Sequence, residues 1–217
     1  MSGEQSLPRN REYHSELRAS QAAATRSRIL DAAAERFADT GYTGTSLASI
    51  AQLAGVSVET VKLGWPKRRL LLDAFTHSFA GSDAIDSLAT HGPVAEITAE
   101  PDNTRYLAGI VRFVAESNRR SSVLWTTLLS VARSDALLRT ELDRLQHRRR
   151  TDILILVDEL RSRGLAPTTQ SRETLADTIS FILSPEGYNQ LVLGAGWKQP
   201  DYEAWLASTI LLSCAQI

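Results

Sequence analysis

The chain has 217 residues, 43% of them hydrophobic, which is enough apolar material for one large or two small packed domains and argues against a disordered protein. One cysteine, Cys214, supports neither a disulfide framework nor a zinc site and suits a reducing, cytoplasmic setting. The formal net charge is −1, but residues 1–80 hold 10 Lys and Arg against 8 Asp and Glu while residues 81–217 hold 14 against 17, so a slight basic excess sits in the N-terminal part.

Strand signals are nearly absent and helical periodicity dominates, so the expected class is all-α. Residues 1–20 lack a firm pattern and are expected to form a mobile arm, with no signal-peptide core between Met1 and Arg11. The first helix is predicted from about Ala22 to Thr40, with Ile29, Leu30, Ala33 and Phe37 inward and Gly41 as its stop. Thr45 or Ser46 caps a second helix that buries Leu47, Ile50, Ala51 and Leu53, and Ser57 caps a short third one closed by Gly64-Trp65-Pro66. A fourth begins near Lys67 and carries Leu70, Leu71, Ala74, Phe75 and Phe79. Residues 81–102 read as a connector with one short helix. Helices are then predicted over 103–118, 121–134, 135–163, 172–183 and 201–214, with a proline-initiated turn at Ser184-Pro185-Glu186-Gly187. No run of roughly 18 apolar residues predicts a membrane span. The division is an arm at 1–20, a helix-turn-helix head at 21–80 and a larger helical bundle at 81–217.

The head carries the functional signal. Ala51, Gly55 and Val61 suit a helix-turn-helix: a small residue lets two helices cross closely, a glycine takes a positive-φ turn, and a branched residue plugs the second helix into the core. Such a unit places one helix in a DNA groove. Val58 and Glu59, on the first turn of the third helix, are the candidates for reading bases, Val58 at a thymine methyl and Glu59 at cytosine N4. Glu59 also suits the helix dipole, and Ser57 is first of all a cap. Arg26, Arg28, Thr45, Ser46, Thr60, Lys62, Lys67 and Arg68 are candidates for phosphates, which set affinity and register. Trp65 is read as core packing more than as a DNA contact.

Thr25-Arg26-Ser27-Arg28-Ile29-Leu30-Asp31-Ala32-Ala33, Phe37-Ala38-Asp39-Thr40-Gly41-Tyr42, Thr45-Ser46-Leu47-Ala48-Ser49-Ile50-Ala51, Ala54-Gly55-Val56-Ser57 and Thr60-Val61 together resemble the tetracycline-repressor (TetR) family of bacterial transcription regulators. The family has a tyrosine where Lys62 stands, a bulkier polar residue at Gly64, an aromatic at Trp65 and a lysine at Arg68, so Lys62 and Gly64 depart from its pattern. The resemblance implies a homodimer on a near-palindromic operator, a repressor released by a small-molecule effector held in the C-terminal bundle. The alternative is a helical adaptor that has lost DNA binding.

Two apolar stripes are candidates for the dimer interface: Leu175, Ile179, Ile182 and Leu183, then Trp205, Leu206, Ile210 and Leu211. They could instead face their own domain. Tyr106, Phe113, Trp125, Leu128, Leu129, Ile153, Val157 and Phe181 are candidates for an effector pocket, with plain core packing as the rival reading. Arg149 lies near the apolar side of the long helix, where it snorkels, pairs with a carboxylate, or meets an acidic ligand. The four histidines are scattered and no nucleophile, metal-ligand or phosphate-loop pattern appears, so no catalytic, metal or cofactor residue is expected.

Overall fold

The computed structural model describes residues 9–81 and 93–215, and the regular structure in them is entirely helical. Helix α1 (Arg9–Gly44) begins well before the expected start. Residues 9–20 are helical where an arm was expected, and residues 1–8 lie outside the described part. That stretch is rich in good helix formers without an apolar stripe, so propensity supports a helix that periodicity could not announce. Gly41 breaks α1 with φ +67° and ψ 179°, at the predicted stop.

Helix α2 (Leu47–Ala54) starts on a capping box: Ser46 Oγ accepts from Ser49 N at 3.0 Å, and Ser49 Oγ accepts from Ser46 N at 3.2 Å. Gly55 ends it in the left-handed region, φ +67° and ψ 38°, and Val56 N donates back to Ala51 O at 3.0 Å. Helix α3 (Val58–Gly64) follows after three residues, with Ser57 Oγ accepting from Thr60 N at 3.1 Å. Helix α4 (Lys67–Ala80) leads away from it.

The bundle consists of α5 (Pro93–Thr98), α6 (Asn103–Ala132), α7 (Ala136–Ser162), α8 (Arg172–Ile182), α9 (Pro185–Tyr188), which runs into a π-helical turn (Asn189–Gly194), and α10 (Gln199–Ala215). Part of the expected connector, residues 82–92, lies outside the described residues. Helix α6 is one unbroken helix where two were expected. Arg119 and Arg120, which fall between the two expected helices, both pair with Glu116 a turn earlier, at 2.6 and 3.2 Å, which supports the helix. Arg120 also donates to Ser78 O at 2.8 Å and Phe79 O at 3.2 Å, so α6 caps the end of α4. Helix α7, at 27 residues, runs about 40 Å.

Two apolar cores result. One joins α1 to α4 with the C-terminal half of α6 and the first turns of α7, through Phe37, Ile50, Val61, Leu71, Leu128 and Leu138. The other joins the first half of α6 to α7, α8 and α10, through Tyr106, Val157, Leu160, Leu175, Ile179 and Leu206. The head therefore shares its core with the bundle.

Candidate nucleic-acid interface and ligand cavity

Helix α3 is short and lies on a rigid bed. Val61 is fully buried and Val58 half-buried against the head core, while Glu59, Thr60, Lys62 and Leu63 point outward. Behind α3, Trp65 is buried and its indole Nε1 donates to Asp73 at 2.9 Å. Asp73 also pairs with Arg69 at 2.8 Å and Arg26 at 3.4 Å, and the Arg26 guanidinium lies 5.2 Å from the Trp65 ring centroid. This cluster ties α1 and α4 to the loop after α3, and Trp65 packs as expected.

The expected DNA-contacting residues divide on these contacts. Lys62 and Arg68 are exposed and form no ion pair with any described residue, so both charges are available. Arg28 is exposed, with one 3.4 Å hydrogen bond to Thr25 Oγ1. Ser46 and Ser57 are exposed caps, and Thr60 Oγ1 lies 2.9 Å from Ser57 Oγ. Lys67 sits with its ammonium 4.5 Å from the Tyr42 ring centroid, where partial burial lowers its pKa from the ordinary value. Arg26 is committed to Asp73 and Trp65. Thr45 is a correction: it is 3% exposed, and its hydroxyl lies 2.7 Å from Gly41 O and 2.9 Å from Arg36 O, so it braces the Gly41 bend and offers nothing to a phosphate. Leu63 was missed. It is 89% exposed, the most exposed large apolar side chain of the described residues, on the outer face of α3. Its position two residues from the inward Val61 was the available signal.

A cavity of about 200 Å³ lies between α4, α6 and α7. Of the candidate pocket residues, Tyr106, Phe113, Trp125, Arg149 and Ile153 line it, and Phe75 and Phe79 of α4 close it from the head side. The rings are in contact: Phe75 and Trp125 centroids stand 5.4 Å apart, Phe79 and Phe113 6.5 Å apart and edge-on. Trp125 Nε1 donates to Glu186 Oε1 at 2.6 Å. Burial pushes the Tyr106 hydroxyl pKa up to about 12, and the Arg163 guanidinium covers that ring at 3.9 Å. Arg149 donates from Nη1 to Ser180 Oγ at 2.9 Å and from Nη2 to Ser180 O at 2.7 Å. Desolvation lowers its pKa, with Glu186 opposing. Four expected pocket residues stand elsewhere. Leu128 and Leu129 pack in or against the head core, Val157 is buried in the bundle core, and Phe181 is 79% exposed on α8. An apolar residue at helical spacing does not say which of two cores, or which side, it serves.

The expected dimer stripes need the same correction. Leu175, Ile179, Ile182, Leu183, Leu206 and Ile210 are all buried in one intramolecular core, so α8 and α10 turn these residues toward their own bundle. Of the expected residues, Leu211 is exposed and Trp205 half-buried. The outward large apolar residues of these helices are Phe181, Leu211 and Leu212, the last 64% exposed, and Ala204, Ser208 and Ala215 of α10 are exposed as well.

An all-helical chain with a capped two-helix unit, a glycine turn and an outward seven-residue α3 is a helix-turn-helix protein. Residues 29–75 match the sequence profile of the bacterial regulatory proteins of the tetR family. The fold agrees along most of the chain. A protein from Rhodococcus sp. assigned to TetR-family transcriptional regulators superposes with a TM-score of 0.69 at 19% identity, covering 88% of this chain and 99% of that one. A protein from Saccharomonospora viridis, assigned as a transcriptional regulator and solved in complex with choline, gives 0.66 at 21% identity, covering 87% and 96%. The fatty acid degradation regulator FadR from Bacillus halodurans gives 0.67 at 17% identity, covering 85% and 96%. No curated protein sequence matches the chain. Residues 29–75 therefore resemble the tetR-family head in sequence, and over most of the chain the fold is the one these solved proteins share.

Proposed function

We propose that the chain acts as a homodimer that binds a near-palindromic DNA operator and is released by a small-molecule effector. The observation that carries this reading is the contrast on α3: a buried Val61 and a cross-linked Trp65–Asp73 cluster hold the helix, while Lys62, with Arg68 just beyond it, keeps an exposed charge that pairs with no described residue. Lys62 replaces the family's tyrosine with a point charge that can meet a phosphate. Glu59 and Leu63 supply the outward chemistry for base edges and thymine methyls.

A single seven-residue helix reads too few bases for useful specificity, which favours a two-fold dimer and two half-sites. The outward residues Phe181, Leu211 and Leu212 support a dimer built from the outer faces of α8 and α10. Release is supported by the position of α4. It starts three residues beyond α3, and its far half forms one wall of the cavity through Phe75 and Phe79. A ligand that favours one position of α4 shifts the angle of α3, and a coupling of about 1–3 kcal/mol separates DNA-bound from free states. The choline in the S. viridis protein supports a small-molecule site in this fold.

The test is recovery of fragments from the organism's own DNA by the purified full-length chain. Recovered fragments sharing an inverted repeat are expected. Recovery no better than a protein-free control would exclude operator binding and leave the adaptor reading.

A further inference from the structure

Arg149 is a cation set in the wall of an aromatic cavity; among the described residues its hydrogen bonds go to neutral groups, and the Glu186 carboxylate acts on it as an opposite charge. Both of its hydrogen bonds go to Ser180, one to the hydroxyl and one to the backbone carbonyl. A charge withdrawn from water is costly unless it is paired. Among the described residues, each carboxylate around the cavity has a partner. Glu159 accepts from Arg163 Nε at 2.6 Å, Asp152 has a partner, and Glu186 accepts from the neutral Trp125 indole and keeps its charge, which acts on Arg149 without a direct hydrogen bond. Arg148, exposed beside the same cavity, adds a second positive charge. Most of the rest of the wall is apolar or aromatic, through Phe75, Phe79, Phe113, Trp125, Ile153 and Leu156, with Thr76, Thr98 and Gln146 as neutral polar groups. At about 200 Å³ the cavity is smaller than the ~300–1,000 Å³ typical of drug-sized sites, so the apolar body it accepts is short or of medium length.

We propose that the ligand of this cavity is an amphiphilic carboxylate, its medium-length apolar body among the Phe75, Phe79 and Phe113 rings and its head on the Arg149 guanidinium. A quaternary ammonium would put another cation against Arg149, and a neutral alcohol would add nothing to the partial compensation that Glu186 gives. The aromatic wall alone would welcome a cation; Arg149 decides against it. The inference rests on the reading of the cavity as the effector site.

Three probes of one chain length separate the possibilities: octanoate, octanol and octyltrimethylammonium, titrated into the full-length protein with calorimetry and tryptophan fluorescence as readouts. Octanoate is expected to bind roughly tenfold or more tighter than octanol, with octyltrimethylammonium weakest. Arg149→Gln brings octanoate down to the level of octanol, and Arg149→Lys restores part of the difference. Thermal melts by circular dichroism establish that each variant is folded; should Arg149→Gln not fold, the three-probe ranking on the unmodified protein and the Arg149→Lys titration decide. Octanol or octyltrimethylammonium binding as tightly as octanoate, octanoate binding indifferent to Arg149 in a folded variant, or no binding of any probe overturns the proposal. A DNA-release assay is run separately. Octanoate that binds through Arg149 without weakening DNA binding upholds the ligand class and removes the effector reading.

Discussion

Lys62→Ala is the most informative single change at the DNA-facing surface. The side chain is exposed on α3, pairs with no described residue and supports no buried contact. Its loss should therefore leave unfolding within about 0.5 kcal/mol of the unmodified protein. On DNA the effect is electrostatic. A dimer presents two copies, so two phosphate contacts disappear. Each neutralised phosphate contributes about 0.9 to the slope of log affinity against log salt, so the slope becomes shallower by about 1.8. Affinity in ~0.1 M salt then falls roughly sixtyfold, while affinity extrapolated to ~1 M salt changes little. The assay is fluorescence anisotropy on a labelled operator across a salt series, with Lys62→Arg as the charge-preserving control. A slope unchanged in Lys62→Ala would remove this residue from the phosphate contacts; a slope lost equally in Lys62→Arg would show that charge was not what mattered.

Gly55→Ala isolates the turn. A Cβ there meets only Arg28 Nη1, at an unstrained 3.9 Å, so the cost is the positive φ alone, about 1–2 kcal/mol in denaturant unfolding; no loss of stability would mean the turn tolerates a side chain. Phe181→Glu combined with Leu212→Glu places charges on the outward faces of α8 and α10 and is expected to convert a dimer to a folded monomer in sedimentation velocity; a dimer that persists would relocate the interface. Glu116→Gln tests pH dependence. Hydrogen bonding from Arg119, with further help from Arg120, holds the Glu116 carboxyl at about 2, below its ordinary 4.5. A depressed carboxyl adds stability above pH 4.5 that is lost as the pH falls through 2, so the variant should show a flatter loss of urea midpoint across that window; an identical acid profile would contradict it.

The head was legible because its demands are local. The Gly41 bend, the Ser46 and Ser57 caps, the Gly55 turn and the inward Val61 each follow from a residue and its near neighbours. The bundle was less so, since the sequence carries no record of which side of a helix meets a partner. Helices α8 and α10 each bear two apolar sets, a rich one ending in the intramolecular core and a sparser outward one around Phe181, Leu211 and Leu212. The rich stripe drew the interface assignment because periodicity measures apolarity, not destination. The same limit separated Leu128 and Leu129 from the cavity and hid Phe75 and Phe79, whose helix had been assigned wholly to the head. The expected gap between residues 118 and 121 is helical for another reason: Arg119 and Arg120 find partners in Glu116 and the end of α4, which periodicity does not record.

The account depends on α3 meeting duplex DNA as one of a symmetric pair. Selection of the full-length protein against a random-sequence duplex pool measures this most directly. Enrichment of an inverted repeat, lost in a variant carrying both Lys62→Ala and Arg68→Ala, is the expected result. A folded, dimeric sample that enriches no sequence over repeated rounds would contradict it.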